Sequence, residues 1–372
     1  MRCIWFYVSV AALLLPADTA FSQSAELQAA SRIDMPSRAD CNSPAFWRGD
    51  QFFILNSTGT QLISHGADQF SQYATQPVCV DRTDHLPMWI ESVWQDTDGT
   101  LYGWYHHEPA GVCVASKLTA PVIGGVVSYD GGSTFQDLGI VLSSGDPLNC
   151  NAQNGFFAGG NGDFSVILDR NQEYFYFLFD NYGGDLAGQG VAVARMAFGD
   201  RRQPAGAVWK YFEGGWTEPG LGGRLTPVFR TAVGWQQSNT DSFWGPSVHW
   251  NTYLETYVVL MSHACCKPLW PQEGIYITFN PDLSDPAGWT APVKILGKIN
   301  YDAGYYPQVI GTNPGETDAV AGQEARFYVH GRSNWTIEFS KDDFPLVPRP
   351  LPDPPDAGGV LPDSIMAPIS GR

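Results

Sequence analysis

Charge is scarce in this chain, and positive charge is scarcest. Only 16% of the 372 residues are charged, with 21 Lys and Arg against 38 Asp and Glu, a net charge of −17. That balance argues against a nucleic-acid partner, because phosphate binding needs a basic face. Long apolar stripes with a 3.6-residue period are also missing, which argues against a helical bundle or coiled coil. Beyond the first residues, no stretch is long and apolar enough to span a bilayer. No C-x-x-C pair is present, so a zinc site is disfavoured. What remains is 13% aromatics with 40 Gly and 27 Pro, the balance of a turn-rich all-β protein. The length suits one large β domain or two ordinary ones.

The N-terminus reads as a secretory signal over residues 1–22. Arg2 starts it, Ile4 to Leu15 is its apolar run, and Ala20-Phe21-Ser22 offers a cleavage site. An uncleaved anchor is the rival reading. A secreted or periplasmic location is therefore expected. Six cysteines follow: Cys41, Cys79, Cys113, Cys150, Cys265 and Cys266. In an exported chain an even number points to disulfides, with the pairing open. Asn56-Ser57-Thr58 and Asn334-Trp335-Thr336 match the glycosylation sequon.

A short segment recurs five times, at Asp40–Phe46, Trp89–Trp94, Gly162–Ile167, Trp244–His249 and Tyr305–Ile310. Aligning Ser43, Ser92, Ser165, Ser247 and Gln308 places Pro44, Val93, Val166, Val248 and Val309 in the next column. The spacings are 49, 73, 82 and 61 residues, and an apolar run follows each copy. This pattern predicts an all-β, five-bladed β-propeller over residues 40–340. Residues 23–39 read as a polar lead-in and 341–372 as a Pro-rich tail. Residues 199–240, rich in Gly, Pro and Trp, read as long loops and a blade connection. Ser128 to Phe135 reads SerTyrAspGlyGlySerThrPhe and fits the Asp-box of sialidases and other propellers. Its chemistry is that of a tight hairpin turn, hence structural.

In a propeller the first strand of each blade lines the channel. The five aligned segments therefore aim at one pocket, and Asp40, Glu91 and Asp163 bring three carboxylates to it. Converging acids suit acid–base chemistry on a sugar. Their offsets from the aligned serines are three, one and two residues. Strand alternation would send Asp163 to the opposite face unless a bulge re-aims it. An aspartate at a strand start also serves simply to cap a turn.

The aspartate-led segments, each followed by an apolar strand, resemble the five-bladed furanosidase-type glycoside hydrolases of families 43, 62, 32 and 117. The segments Trp244–Asn251 and Asp282–Pro292 are similar to secreted members of that group. The resemblance implies a first-blade aspartate as base at Asp40, a second aspartate that tunes pKa at Asp163, and a glutamate acid in a GluGlyPro segment. Here that segment is TrpGlyPro, Trp244 to Pro246, so the usual acid is missing. Glu91, Glu108, His107 and His249 are the replacements considered. His106 and His107 alternate across a strand, so only one faces the channel. Trp244, Trp250, Tyr305 and Tyr306 suit stacking on sugar, and equally suit filling the wedge between blades.

The expectation is a hydrolase acting on a carbohydrate. Its candidate catalytic residues are Asp40, Glu91 and Asp163, and its candidate substrate-binding residues are His107, Glu108, Trp244, His249 and Tyr306. No cofactor is required by this reading, though the acidic channel would admit Ca2+. The rivals are a carbohydrate-binding propeller that lost its acid, or a lyase or phosphorylase on the same scaffold.

Overall fold

The run Tyr174–Phe179 shows why this chain folds as blades. Phe175, Phe177 and Phe179 pack with Tyr102, Trp104 and Val127 of the preceding unit. Tyr176 and Leu178, on the other face, pack with Val248, Val259 and Met261 of the following unit. A strand covered on both faces is apolar at every position rather than at alternate ones.

The computed structural model describes residues 22–342, apart from 38, 115 and 299–302. Five sheets form the blades, antiparallel except where the two-residue strands Cys79–Val80 and Val320–Ala321 pair parallel with blades 2 and 4. Blade 1 is Ala45–Arg48, Gln51–Ser57, Gln61–Asp68 and Ser71–Pro77; blade 2 is Met88–Gln95, Leu101–His107, Val122–Ser128 and Thr134–Leu142. Blade 3 is Asn161–Leu168, Tyr174–Asn181, Gly190–Ala197, Val208–Phe212 and Gly215–Pro219. Blade 4 is Asp241–Asn251, Thr256–Cys265, Gln272–Asn280 and Val293–Gly297. Blade 5 is Pro307–Gly311, Glu324–Val329 and Arg332–Asp342, completed by Ser22–Asp34. From blade 1 to blade 5 each first strand touches the next along the channel, and Gln308 bonds the Ser43 backbone across the closure. Apolar clusters fill all five junctions between blades, so the core is five wedges rather than one layer.

The polar lead-in is corrected by the structure. Ser22–Asp34 pairs antiparallel with Arg332–Asp342, setting Ala29 opposite Trp335 and closing the ring with the chain's own beginning. Leu27 is its one fully buried apolar side chain, and an outer strand with so small an apolar face leaves little pattern to read. Residues 199–240 are loops only in part. Val208–Phe212 and Gly215–Pro219 form a hairpin on blade 3, turning through Glu213 and Gly214, both at positive φ. Exposed Trp209 blurs their alternation. The leader up to residue 21, and the tail from residue 343, lie outside the described residues, while Ser22, Lys341 and Asp342 belong to the closing strands. Among the described residues no helix is long and apolar enough to cross a membrane.

The aligned serine column has a structural role. Ser92 Oγ accepts from the Val166 amide of blade 3 at 2.8 Å, and Ser165 Oγ accepts from the Val248 amide of blade 4 at 3.2 Å. Gln308 takes the same part at the ring closure, accepting from the Ser43 amide at 2.7 Å and donating to the Ser43 carbonyl at 2.9 Å. Each bond stitches one blade to the next where no sheet hydrogen bond runs. The Asp-box is a hairpin turn, with Asp130 accepting from the Thr134 amide and hydroxyl and Phe135 buried in the blade 1–2 wedge. Cys113 is bonded to Cys150 and Cys265 to Cys266, while Cys41 and Cys79 are free.

Candidate active site

The first strands break their ladder just before the aligned serines. Blade 2 shifts register between Ile90 and Ser92, blade 3 between Gly162 and Phe164, and blade 4 between Trp244 and Ser247. The residues squeezed out include Glu91 and Asp163. Asp163 sits at φ 38°, and the equivalent positions Gly245 and Tyr306 sit at φ 60° and 52°. A bulge turns its extra residue away from the strand's alternation, so the offset that would have misdirected Asp163 is absorbed.

Second strands run back to the same end of the channel and add their own polar residues. The Nδ1 of His106 is hydrogen-bonded to Oε1 of Glu91, whose other oxygen accepts from the Phe164 amide at 3.3 Å. The Nε2 of His106 lies 3.8 Å from Oε1 of Glu108. On blade 3, Tyr182 donates to Oδ2 of Asp163, and Tyr306 of blade 5 donates to its Oδ1 at 2.9 Å. Asp180 accepts from the Gly245 amide at 2.8 Å, and its other oxygen is buried without a partner. Cys41 is buried alongside, its thiol pushed up by burial and by the charges of Glu91, Asp40 and Asp163.

The electrostatics follow from many acids around one base. Burial pushes Glu91 up to about 7 against the pull of His106. Burial alone would lower His106, yet Glu91, Asp163 and Glu108 together raise it to about 9. Burial, with Asp163 and Asp40 adding to it and His106 opposing, lifts Glu108 to about 7. Its side chain is still 30% exposed. Asp180 is held well above the carboxylate range by burial and by Asp163. Tyr182 and Tyr306 are raised by burial and then by Asp163, which keeps both phenols protonated as donors.

The structure therefore gathers Asp40, Glu91, Asp163, Glu108 and Tyr306 in one electrostatic neighbourhood. It does not bring His107 there. His107 faces away from His106, bonds the Pro87 carbonyl at 2.9 Å and packs on His85; strand alternation decides this. His249 is also elsewhere. It is fully buried against Phe339, neither ring nitrogen has a hydrogen bond, and burial lowers it to about 3. Trp244 lies in an aromatic wall with Trp270 and Tyr306, and its indole donates to Gln272 at 2.7 Å. Sequence reasoning chose His107 over its neighbour His106, and missed Asp180 and Tyr182. The available signal was a polar residue closing an apolar second strand, as in Tyr105-His106 and Phe179-Asp180.

Glu91, His106 and Asp163 present ligand-type atoms within 4.8 Å of one another. This set fits calcium poorly. Calcium takes oxygen ligands, one of the three is an imidazole, and both Asp163 oxygens already accept from phenols.

Fold and site define a five-bladed propeller with a carboxylate–imidazole–phenol network at one mouth of its channel. Among solved structures the chain is similar to an endo-arabinase from Bacteroides thetaiotaomicron, at 12% identity over 83% of this chain and 96% of that one, TM-score 0.47. It is similar to a thermostable family-43 glycoside hydrolase at 10% identity over 87% and 99%, TM-score 0.49. An exo-β-1,3-galactanase from Phanerochaete chrysosporium is similar at 12% identity over 83% of this chain and 64% of that one, TM-score 0.46. No protein-family model and no curated protein matches the chain.

Proposed function

We propose that this protein is a glycoside hydrolase whose proton donor is Glu108. The observation that carries this reading is the state of that carboxyl. It is raised to about 7, is partly open to solvent, and is backed by His106 and Glu91. A general acid works best when its pKa lies near the working pH. Asp40, on blade 1 and half-buried, is the base. Asp163, fixed by two phenols, supplies a set negative charge that favours the developing oxocarbenium ion and keeps Glu108 protonated. His106 positions Glu108 and Glu91 holds His106. Trp244 stands where the resemblance expects the acid, and this departure moves the role to blade 2. The aromatic wall of Trp244, Trp270 and Tyr306 is buried and backs the pocket rather than facing a sugar.

The parent protein should release reducing sugar from at least one member of a panel of arabinans, galactans, xylans and algal and bacterial glycans. Tight binding of a glycan that is never cleaved would instead favour the carbohydrate-binding reading, which the tryptophan at position 244 supports. A requirement for phosphate, or an unsaturated product, would favour the phosphorylase or the lyase.

A further inference from the structure

Beside the acid cluster, at the same end of the propeller, the connections flanking blade 3 form an open cleft of about 600 Å³. Its walls come from the blade 2–3 connection at Pro147 and Asn149, from the loop after Tyr182 at Gly184 to Gln189, and from the blade 3–4 connection at Ala232 to Gln237. We infer that this cleft is a second sugar subsite that takes the neutral part of a glycan chain extending from the carboxylate pocket. The inference rests on the hydrolase reading for the pocket, and on independent observations for the cleft.

Continuity is the first observation. Tyr182 gives its phenol to Asp163, while its carbonyl accepts from Gln236 of the cleft at 3.2 Å. Trp235, next in the chain, packs edge-on against the Tyr182 ring at 4.9 Å. One buried residue thus links the acid cluster to the wall of the cleft.

Lining chemistry is the second. Asn149 and Gln237 give amide groups, Gln236 and the buried Gln189 stand behind them in bonds within the wall, and Leu186 is a large apolar side chain left 49% exposed. Amides match sugar hydroxyls, and an exposed leucine suits the C–H face of a ring. Neither Lys, Arg nor His lines the cleft; its one charged side chain is Asp185. A uronate or sulfated chain would meet a carboxylate without a cation to pair with, whereas a neutral chain meets no penalty.

Rigidity is the third. Gln189 donates to the Gly184 carbonyl at 2.9 Å and to Gln236 at 2.6 Å, and accepts from the Trp235 amide at 2.7 Å. A Cβ at Gly190 would sit 2.1 Å from the Phe229 carbonyl oxygen, so the chain passes there only as glycine. Walls fixed before binding lose little entropy when a sugar arrives. The volume lies within the usual range of about 300–1,000 Å³ for ligand sites.

The test uses the full-length protein with Leu186→Ser and Gln237→Ala, two surface positions outside the acid cluster. Substrates are arabino-, galacto- and xylo-oligosaccharides from disaccharide to hexasaccharide, the matching aryl monoglycosides, and polygalacturonate as the acidic probe. On the series the parent cleaves, the double variant should raise KM by about fivefold for the longer members, with kcat unchanged. KM for the aryl monoglycoside should not move, and polygalacturonate should not compete. Equal KM values for parent and variant at every length, or competition by polygalacturonate, would overturn the inference. If the parent cleaves nothing, calorimetric binding of the same oligosaccharides decides the cleft separately. Length-dependent affinity weakened in the double variant sustains the subsite while the hydrolase reading falls, and affinity unchanged or absent overturns the subsite as well.

Discussion

His106 Nδ1 meets Glu91 Oε1 across two neighbouring strands of blade 2, at the bulge that turns Glu91 out of its ladder. The pair is buried, and His106 Nε2 lies 3.8 Å from Glu108, whose side chain is open to solvent. Three titratable groups of one blade thus lie on one line.

That arrangement sets a pH dependence. Glu91 and Glu108 hold protons up to about 7 in the fold, against an ordinary value of 4.5. His106 holds its proton up to about 9, against 6.5. In each case the folded state binds protons that the unfolded state has released, so stability falls as pH rises through these windows. Tm should therefore decline from about pH 5 to about pH 9, and less steeply in Glu108→Gln. Turnover should fall as pH rises past about 7, where Glu108 loses its proton. A Tm that climbs over the same range contradicts the assignment.

Removing one inter-blade acceptor should be felt. Ser92→Ala leaves the buried Val166 amide without its partner, at a cost of about 1–3 kcal/mol. Urea unfolding measures this, and a change below about 0.5 kcal/mol would show that water or a neighbour replaces the hydroxyl.

Reduction of Cys113–Cys150 frees a loop closed over a separation of 37 residues. The chain-entropy estimate for such a loop is about 4 kcal/mol. Thiol counting under denaturing conditions should find two free groups, Cys41 and Cys79, in oxidised protein that lacks residues 1–22, and Cys3 as a third where they remain. Six reactive thiols would contradict the pairing.

Asp163→Asn is a clean probe because asparagine tolerates the positive φ that this residue adopts. Tyr182 and Tyr306 then face a neutral amide. Turnover should drop by at least about a hundredfold with the fold retained, and the decline of Tm with pH should flatten, because Asp163 helps to raise Glu91, His106 and Glu108. Near-normal turnover would remove Asp163 from the mechanism.

Much of this was legible in the chain. Five copies of one segment gave the blade count, and the apolar run at Tyr174–Phe179 announced a strand buried on both faces. Asp163 was legible as a candidate even though its offset pointed it the wrong way. The bulge that re-aims it depends on a backbone choice at φ 38° that an aspartate only permits. The pair His106-His107 showed that one ring faces inward, but its register with Glu91 is a property of the hairpin. Trp244 and His249 sit on the right strand, yet packing against Trp270 and Phe339 consumes them. The closing strand was hidden because one buried leucine, Leu27, carries its apolar face. Asp180 and Tyr182 gave no repeat signal, since the aligned segments end before the second strands begin to turn.

The central claim is that Glu108 gives the proton to the departing sugar, and its dependence on leaving group tests this most directly. Glu108→Gln should lose at least about a hundredfold in kcat on the natural glycan, whose leaving oxygen needs a proton. On a dinitrophenyl glycoside of the same sugar, which departs without one, the loss should be far smaller. Equal losses on both substrates, or near-normal turnover of the glycan, would contradict the assignment of Glu108 as the acid.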